Sequence, residues 1–219
     1  MAKLSAEKRQ FIDFALEAGV LRFGRFTLKS GRESPYFFNL GMIASGTRMA
    51  RLGEFYAQAL HAIDPRPDVL FGPAYKGIPL AVATACALAQ SGGEDLAIAY
   101  NRKEAKDHGE GGHLVGAALE GKRVCIIDDV VTAGTAVREA IGLIRTAGAT
   151  PAALLVAIDR EERGRGKQSA MQELASEEGV SVKALISFSD VLAWLEESGS
   201  HTEEREALLA YRSQYGVNV

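Results

Sequence analysis

Two adjacent carboxylates, Asp128 and Asp129, follow an apolar run, Val124-Cys125-Ile126-Ile127, and precede Val130-Val131-Thr132-Ala133-Gly134-Thr135. The apolar run reads as a strand covered on both faces, because a buried parallel sheet loses its inside/outside alternation. The small Thr/Ala/Gly/Thr turn leads into a helix opened by Ala136-Val137-Arg138-Glu139-Ala140-Ile141. The first N–H groups of a helix lack intrahelical partners, and together with the helix dipole they suit a phosphate. Carboxylates just upstream suit hydroxyls or a metal-bound sugar, and one ligand that needs both is a phosphorylated ribose. An Asp pair alone also fits a solvated strand end; the apolar run before it and the small-residue turn after it favour a site.

Four further stretches carry chemistry. Phe71-Gly72-Pro73-Ala74-Tyr75-Lys76-Gly77 is another strand end running into a helix; its glycines permit close backbone approach and Lys76 adds a cation, although turn chemistry alone also accounts for it. The polar segment from Asn101 to Gly112 holds Arg102, Lys103, Lys106 and His108 and ends in glycines. Such a run is ordinarily a solvated loop, but it follows a strand end, and its glycines supply the mobility of a closing lid. Phe26 to Asn39 reads as two strands, Phe26–Leu28 and Tyr36–Asn39, around an exposed Lys29-Ser30-Gly31-Arg32 turn. Asp159-Arg160-Glu161-Glu162-Arg163 also follows a strand, and the planar fork of Arg160 can grip a carboxylate bidentately. His61, His113 and His201 read as surface or incidental, and no Cys/His set has zinc spacing.

These stretches must be held by a common frame. Apolar residues at helical spacing predict helices behind Ser5, over Met49 to Ile63, from about Ile78, over Val137 to Ile144, near Met171 and Leu174, after Ser189 as a cap, and from Thr202. Between them lie strands at Val69–Phe71, Leu96–Tyr100, around Ile126, at Ala153–Ile158 and at Val182–Phe188. The alternation implies an α/β fold with a mostly parallel, doubly wound sheet, whose ligands sit at the carboxyl ends of the strands. The first 65 or so residues break the alternation and are a candidate lid over that edge.

The bulk numbers set the bounds. In 219 residues there are 25 Lys+Arg against 28 Asp+Glu, a formal net charge of −3, so nothing marks a general nucleic-acid binder. A polyanionic substrate would need a local basic cluster. Cys86 and Cys125 are far apart in apolar contexts and read as buried core thiols, not a disulfide framework. The charged start does not read as a signal peptide, and the longest apolar stretch, Ile78 to Gln90, is too short to span a bilayer. A cytoplasmic setting is the expectation.

The 128–135 run resembles the signature of the type I phosphoribosyltransferases, which bind phosphoribosyl pyrophosphate (PRPP). With the other four stretches in order between Phe26 and Gly166, the chain resembles the orotate-specific branch of that family. The resemblance implies a type I core over 66–219, including the C-terminal helices, and a small hood built from residues 1–65, together one structural unit. It implies transfer of the 5-phosphoribosyl group from PRPP to orotate. PRPP would be held by Lys29, Tyr75, Lys76, Arg102, Lys103, Lys106, His108, Asp128, Asp129, Val130, Val131, Thr132, Ala133, Gly134, Thr135 and Ala136, with the Phe71–Gly77 stretch carrying an unusual backbone geometry. Orotate would be held by Phe37, Phe38, Thr132 and Arg160. Lys106, Asp128 and Asp129 would be catalytic. The cofactor implied is Mg²⁺, bound mainly by substrate oxygens and water with no direct protein ligand. A homodimer is implied, the Arg102/Lys106 loop acting across the subunit interface. A purine-type transferase and a non-catalytic PRPP sensor are the alternatives; the Lys29–Phe38 segment with Arg160 speaks against the first, and the intact basic loop against the second.

Overall fold

The computed structural model describes residues 4–28, 31–106, 112–164, 166–199 and 201–217, without the side chains of 105, 106 and 112. Helix α1 (Ala6–Glu17) starts at Ser5, whose hydroxyl accepts from the Lys8 N–H, and is followed by Gly19. Strands β1 (Leu21–Thr27) and β2 (Glu33–Phe38) form an antiparallel hairpin, longer on its first arm than its aromatic residues indicate. Helix α2 (Gly46–Leu60) then leads to the central sheet.

That sheet is built from β3 (Val69–Gly72), β4 (Ala97–Lys106), β5 (Gly112–Gly116), β6 (Arg123–Ile127), β7 (Thr150–Asp159) and β8 (Ser181–Ser187). Their order is β5-β4-β3-β6-β7-β8, and every neighbouring pair is parallel except β4 with β5. Helices α3 (Gly77–Gln90), α4 (Thr135–Thr146), α5 (Ala170–Glu178), α6 (Phe188–Ser198) and α7 (Thr202–Tyr215) complete the chain. Among the described residues no helix is long and apolar enough to cross a membrane.

Alternate strand residues serve opposite faces. Leu70, Cys125, Ile127, Ala153, Leu155 and Ala157 join the cluster made with α1, α2, α3 and α6. Val69, Phe71, Val124, Ile126, Leu154 and Val156 join the cluster made with α4 and α5. This is the doubly wound arrangement expected of apolar strands, each large aliphatic side chain contributing about 1.5–3 kcal/mol on burial. The first cluster also takes in the hairpin, through Leu21, Tyr36 and Phe38, and α7, through Leu208 and Tyr211. The hairpin therefore shares its core with the C-terminal helices as well as with the sheet.

Three sequence expectations are corrected. The segment from Asn101 is not loop up to the glycines: strand β4 continues to Lys106, and Gly112–Gly116 returns against it as β5, pairing Tyr100 with Val115 and Lys106 with Gly112. Helix α6 is capped by Ser187 rather than Ser189; the Ser187 hydroxyl accepts from the Asp190 N–H and the Asp190 carboxylate accepts from the Ser187 N–H. Asp190 completes a reciprocal box, which Ser189 has no partner to form at that spacing. Cys86 is exposed on α3, whereas Cys125 is buried in β6 as expected.

Candidate active site

Strand β4 follows β3 in the chain but lies on the opposite side of it from β6, so the connections diverge between β3 and β6. A crevice at the carboxyl ends is the consequence of such a switch, and the loops after these two strands meet there. Residues 73–76 leave β3, and their Ala74–Tyr75 peptide is cis, the unusual backbone expected at this place. The Ala74 N–H donates to Oδ1 of Asn101 at 2.9 Å, which ties the loop to β4. A Cβ added at Gly72 would lie 2.4 Å from the Gly77 carbonyl oxygen, and one at Gly77 would lie 2.7 Å from that of Ile127. The close approach expected of these glycines is therefore to neighbouring backbone, and it holds the first turn of α3 against the end of β6.

At that end Asp128 and Asp129 turn the chain. Asp128 Oδ1 accepts from the Asp129 N–H and Asp129 Oδ1 from the Val130 N–H, each at 2.8 Å. The buried Tyr56 hydroxyl donates to the Asp128 carbonyl oxygen at 2.8 Å. Burial, reinforced by the Asp129 charge, pushes the Asp128 carboxyl up to about 7. Asp129 Oδ2 is paired with Lys76 Nζ at 2.7 Å, so the two loops are joined by an ion pair across the crevice. Val131 is buried, while Thr132, Ala133, Thr135 and Ala136 are exposed. Gly134 sits at φ +74° as the residue before α4, a conformation that favours glycine, and no side chain caps the helix. The N–H groups of its first turn are left to an outside acceptor.

On the β4 side, Lys103 Nζ lies 4.6 Å from the centroid of the exposed Tyr75 ring, and Arg102 Nη1 is buried with no hydrogen-bond partner among the described residues. Lys29 and His108 lie outside the described residues, and of Lys106 only the backbone is described. At the end of β7, Arg160 lies with its guanidinium over the ring of Tyr36, 4.6 Å from the centroid. In the hairpin Phe37 is half-buried and stacks on Phe26 at 5.4 Å, while the Phe38 side chain is committed to the core. Phe38 thus has its backbone, not its ring, to offer a ligand. Val130 bridges Ile158, which sets the acidic turn beside the strand end that carries Arg160. Sequence reasoning passed over Asn101, Tyr56 and Tyr36 as site-builders. All three act through a backbone group or a ring face, and residue type alone does not signal that.

A strand-end acidic pair, an uncapped helix start and converging cations form a place for a ligand with a phosphate, hydroxyls and further negative charge. A model of the phosphoribosyl transferase domain matches residues 40–189. The chain is 57% identical over 208 residues to an orotate phosphoribosyltransferase of Thioalkalivibrio sulfidiphilus, covering 95% of this chain and 97% of that one. It is 55% identical over 214 residues to the orotate phosphoribosyltransferase of Vibrio parahaemolyticus, covering 98% and 100%. The crystal structure of the Francisella tularensis orotate phosphoribosyltransferase superposes with a TM-score of 0.87 at 39% identity, over 94% of this chain and 99% of that one.

Proposed function

The chain belongs to the phosphoribosyltransferases, and within them to the orotate phosphoribosyltransferase family; from that premise we propose that it joins orotate to PRPP, giving orotidine 5-phosphate and pyrophosphate, in UMP biosynthesis. The observation that carries the reading is the acidic turn feeding an uncapped helix start, with Lys76 opposite. Loop amides from Val130 to Ala136 take the 5-phosphate, and Asp128 and Asp129 take the ribose hydroxyls. Lys76, with Tyr75, turns from Asp129 to the diphosphate, where Arg102, Lys103, Lys106 and His108 complete the cationic shell and Lys29 joins from the hood. Arg160, Thr132 and the Phe37–Phe38 backbone hold orotate with its ring nitrogen facing the anomeric carbon. Residues 1–65 serve as hood and 66–219 as core.

As the bond from the anomeric carbon to diphosphate breaks, positive charge grows on the sugar and negative charge on the leaving group. Catalysis is then mainly positioning and electrostatics. The donor set suits Mg²⁺: two carboxylates are too few for a dedicated protein cage, and fit an ion that keeps its waters and uses substrate oxygens. When bound, the ion neutralises diphosphate charge. The homodimer reading is supported by a groove of about 290 Å³ on α2 and α3, lined by Met49, Pro79, Val82 and Cys86. There an apolar face lies open, and a second copy would bring its basic loop to this crevice. The cytoplasm is the proposed location.

Pyrophosphate release with purified protein, PRPP and Mg²⁺ is expected with orotate and not with adenine, guanine or hypoxanthine. Release with a purine base, or PRPP binding without any release, overturns the assignment. A pH dependence also follows. A hydroxyl donates better to a carboxylate than to a carboxylic acid, so the KM for PRPP is expected to fall as pH rises through about 7, where Asp128 ionises. Asp128→Asn is expected to flatten that step; a profile unaltered by the substitution assigns the step to another group.

A further inference from the structure

Glu162 has no role in the reaction as described, yet several groups converge on its carboxylate. Oε1 accepts from Arg160 Nε at 2.8 Å and from the Tyr211 hydroxyl at 3.0 Å, and lies 2.6 Å from Arg160 Nη2. Oε2 faces Arg32 Nη1 at 3.5 Å. Both the Arg160 and Glu162 side chains are largely buried, 12% and 16% exposed. One edge of the guanidinium is thus tied to Glu162, and one face lies on the fully buried Tyr36 ring. A planar group held by an edge and a face keeps little rotational freedom, and the Nη1 end is the part not held by Glu162. Nη2, buried and 2.6 Å from Glu162 Oε1, belongs to that ion pair, and no hydrogen bond is made by Nη1 among the described residues.

We propose that Glu162 is the positioning residue for Arg160, fixing the guanidinium so that its unused donors meet the orotate carboxylate. The proposal rests on the reading of Arg160 as the group that binds that carboxylate. Tyr211 on α7 and Arg32 beside the hairpin turn hold Glu162 in its own place, so the orientation of Arg160 is set jointly by β7, the hood and the C-terminal helix. With Glu162 removed, Arg160 keeps its contact with the Tyr36 ring but is left as a buried charge without its ion-pair partner.

The test uses the full-length protein and measures KM for orotate and for PRPP separately in Glu162→Ala, Glu162→Gln, Arg160→Ala and the Arg160→Ala/Glu162→Ala double variant. Glu162→Ala is expected to raise the orotate KM by about tenfold or more, the size of one charge-assisted hydrogen bond, with the PRPP KM within about twofold. Glu162→Gln, which keeps the shape and loses the charge, is expected to show a smaller rise of the same selectivity, and carries the test if the alanine variant does not fold. If Glu162 acts through Arg160, the double variant has the orotate KM of Arg160→Ala alone. Effects that add, a rise in both KM values alike, or a lower orotate KM (Glu162 competing with the ligand for Arg160) would each overturn the proposal. An orotate KM untouched by Arg160→Ala overturns the carboxylate reading and the proposal with it. An Arg160 effect with silent Glu162 variants removes the positioning role alone.

Discussion

Replacing Lys106 by alanine is expected to lower turnover by about 10²–10³ with the fold intact, the range for losing one donor aimed at charge that develops in the transition state. The backbone at Lys106 pairs with Gly112 at the far end of β4, away from both apolar clusters. Strand pairing there needs no particular side chain, so the thermal midpoint is expected to stay put. On the proposed mechanism the chemistry is what suffers, because diphosphate leaves with growing negative charge and Lys106 is the cation proposed to meet it. KM for PRPP is expected to change less than kcat. Steady-state kinetics and a melting curve on the same preparation decide the matter, and an unchanged kcat in the folded variant removes Lys106 from the mechanism.

Gly77→Ala is expected to damage stability and binding together. The new Cβ would lie 2.6 Å from Pro73 Cδ, 2.7 Å from the Ile127 carbonyl oxygen and 3.0 Å from the Gly72 carbonyl carbon. Two of the three neighbours are backbone and none is the end of a flexible side chain, so either α3 or the end of β6 must move. Overpacking of this kind costs about 1–3 kcal/mol, and in a chain of this length each kcal/mol lowers Tm by about 2–4 °C. The displacement separates the 73–76 loop from the acidic turn, so the KM for PRPP is expected to rise as well. Gly142→Ala on α4, where nothing lies within 4 Å, is the control and should melt no lower than the parent. A Gly77→Ala protein with parental Tm and KM would show that the close approach is no constraint.

The strands that carry the crevice were legible because β3, β6 and β7 are continuous apolar runs, and burial on both faces leaves that mark in sequence. The extension of β4 to Lys106 and its return as β5 were not legible. The extension is polar apart from Ala105, and β5 has only Leu114 and Val115 as an apolar run between its glycines, too short to mark a strand. Ser187 and Ser189 are equally good caps by type; Phe188 between them continues the apolar pattern of β8 and hides where the helix starts. Cys86 sits in a helix that is apolar nearly all round, where periodicity does not separate an inner face from an outer one. Among the site residues, Asp128, Asp129 and Lys76 were placed by their position at strand ends. The clasp of Glu162 on Arg160 depends on Tyr211 and Arg32, which are distant in the chain and brought together only by the fold.

The bare start of α4 has a consequence for the protein at rest. A serine or aspartate in place of Gly134 would ordinarily cap such a helix, and having glycine there instead costs only a few tenths of a kcal/mol. The chain forgoes that contribution where the left-handed turn excludes most side chains and where, on the proposed reading, a cap would stand in the way of the 5-phosphate. The first-turn N–H groups of α4 therefore have no side-chain acceptor from the chain among the described residues. On the proposed reading an anion seated there completes the helix, so the thermal midpoint is expected to rise with PRPP or phosphate concentration.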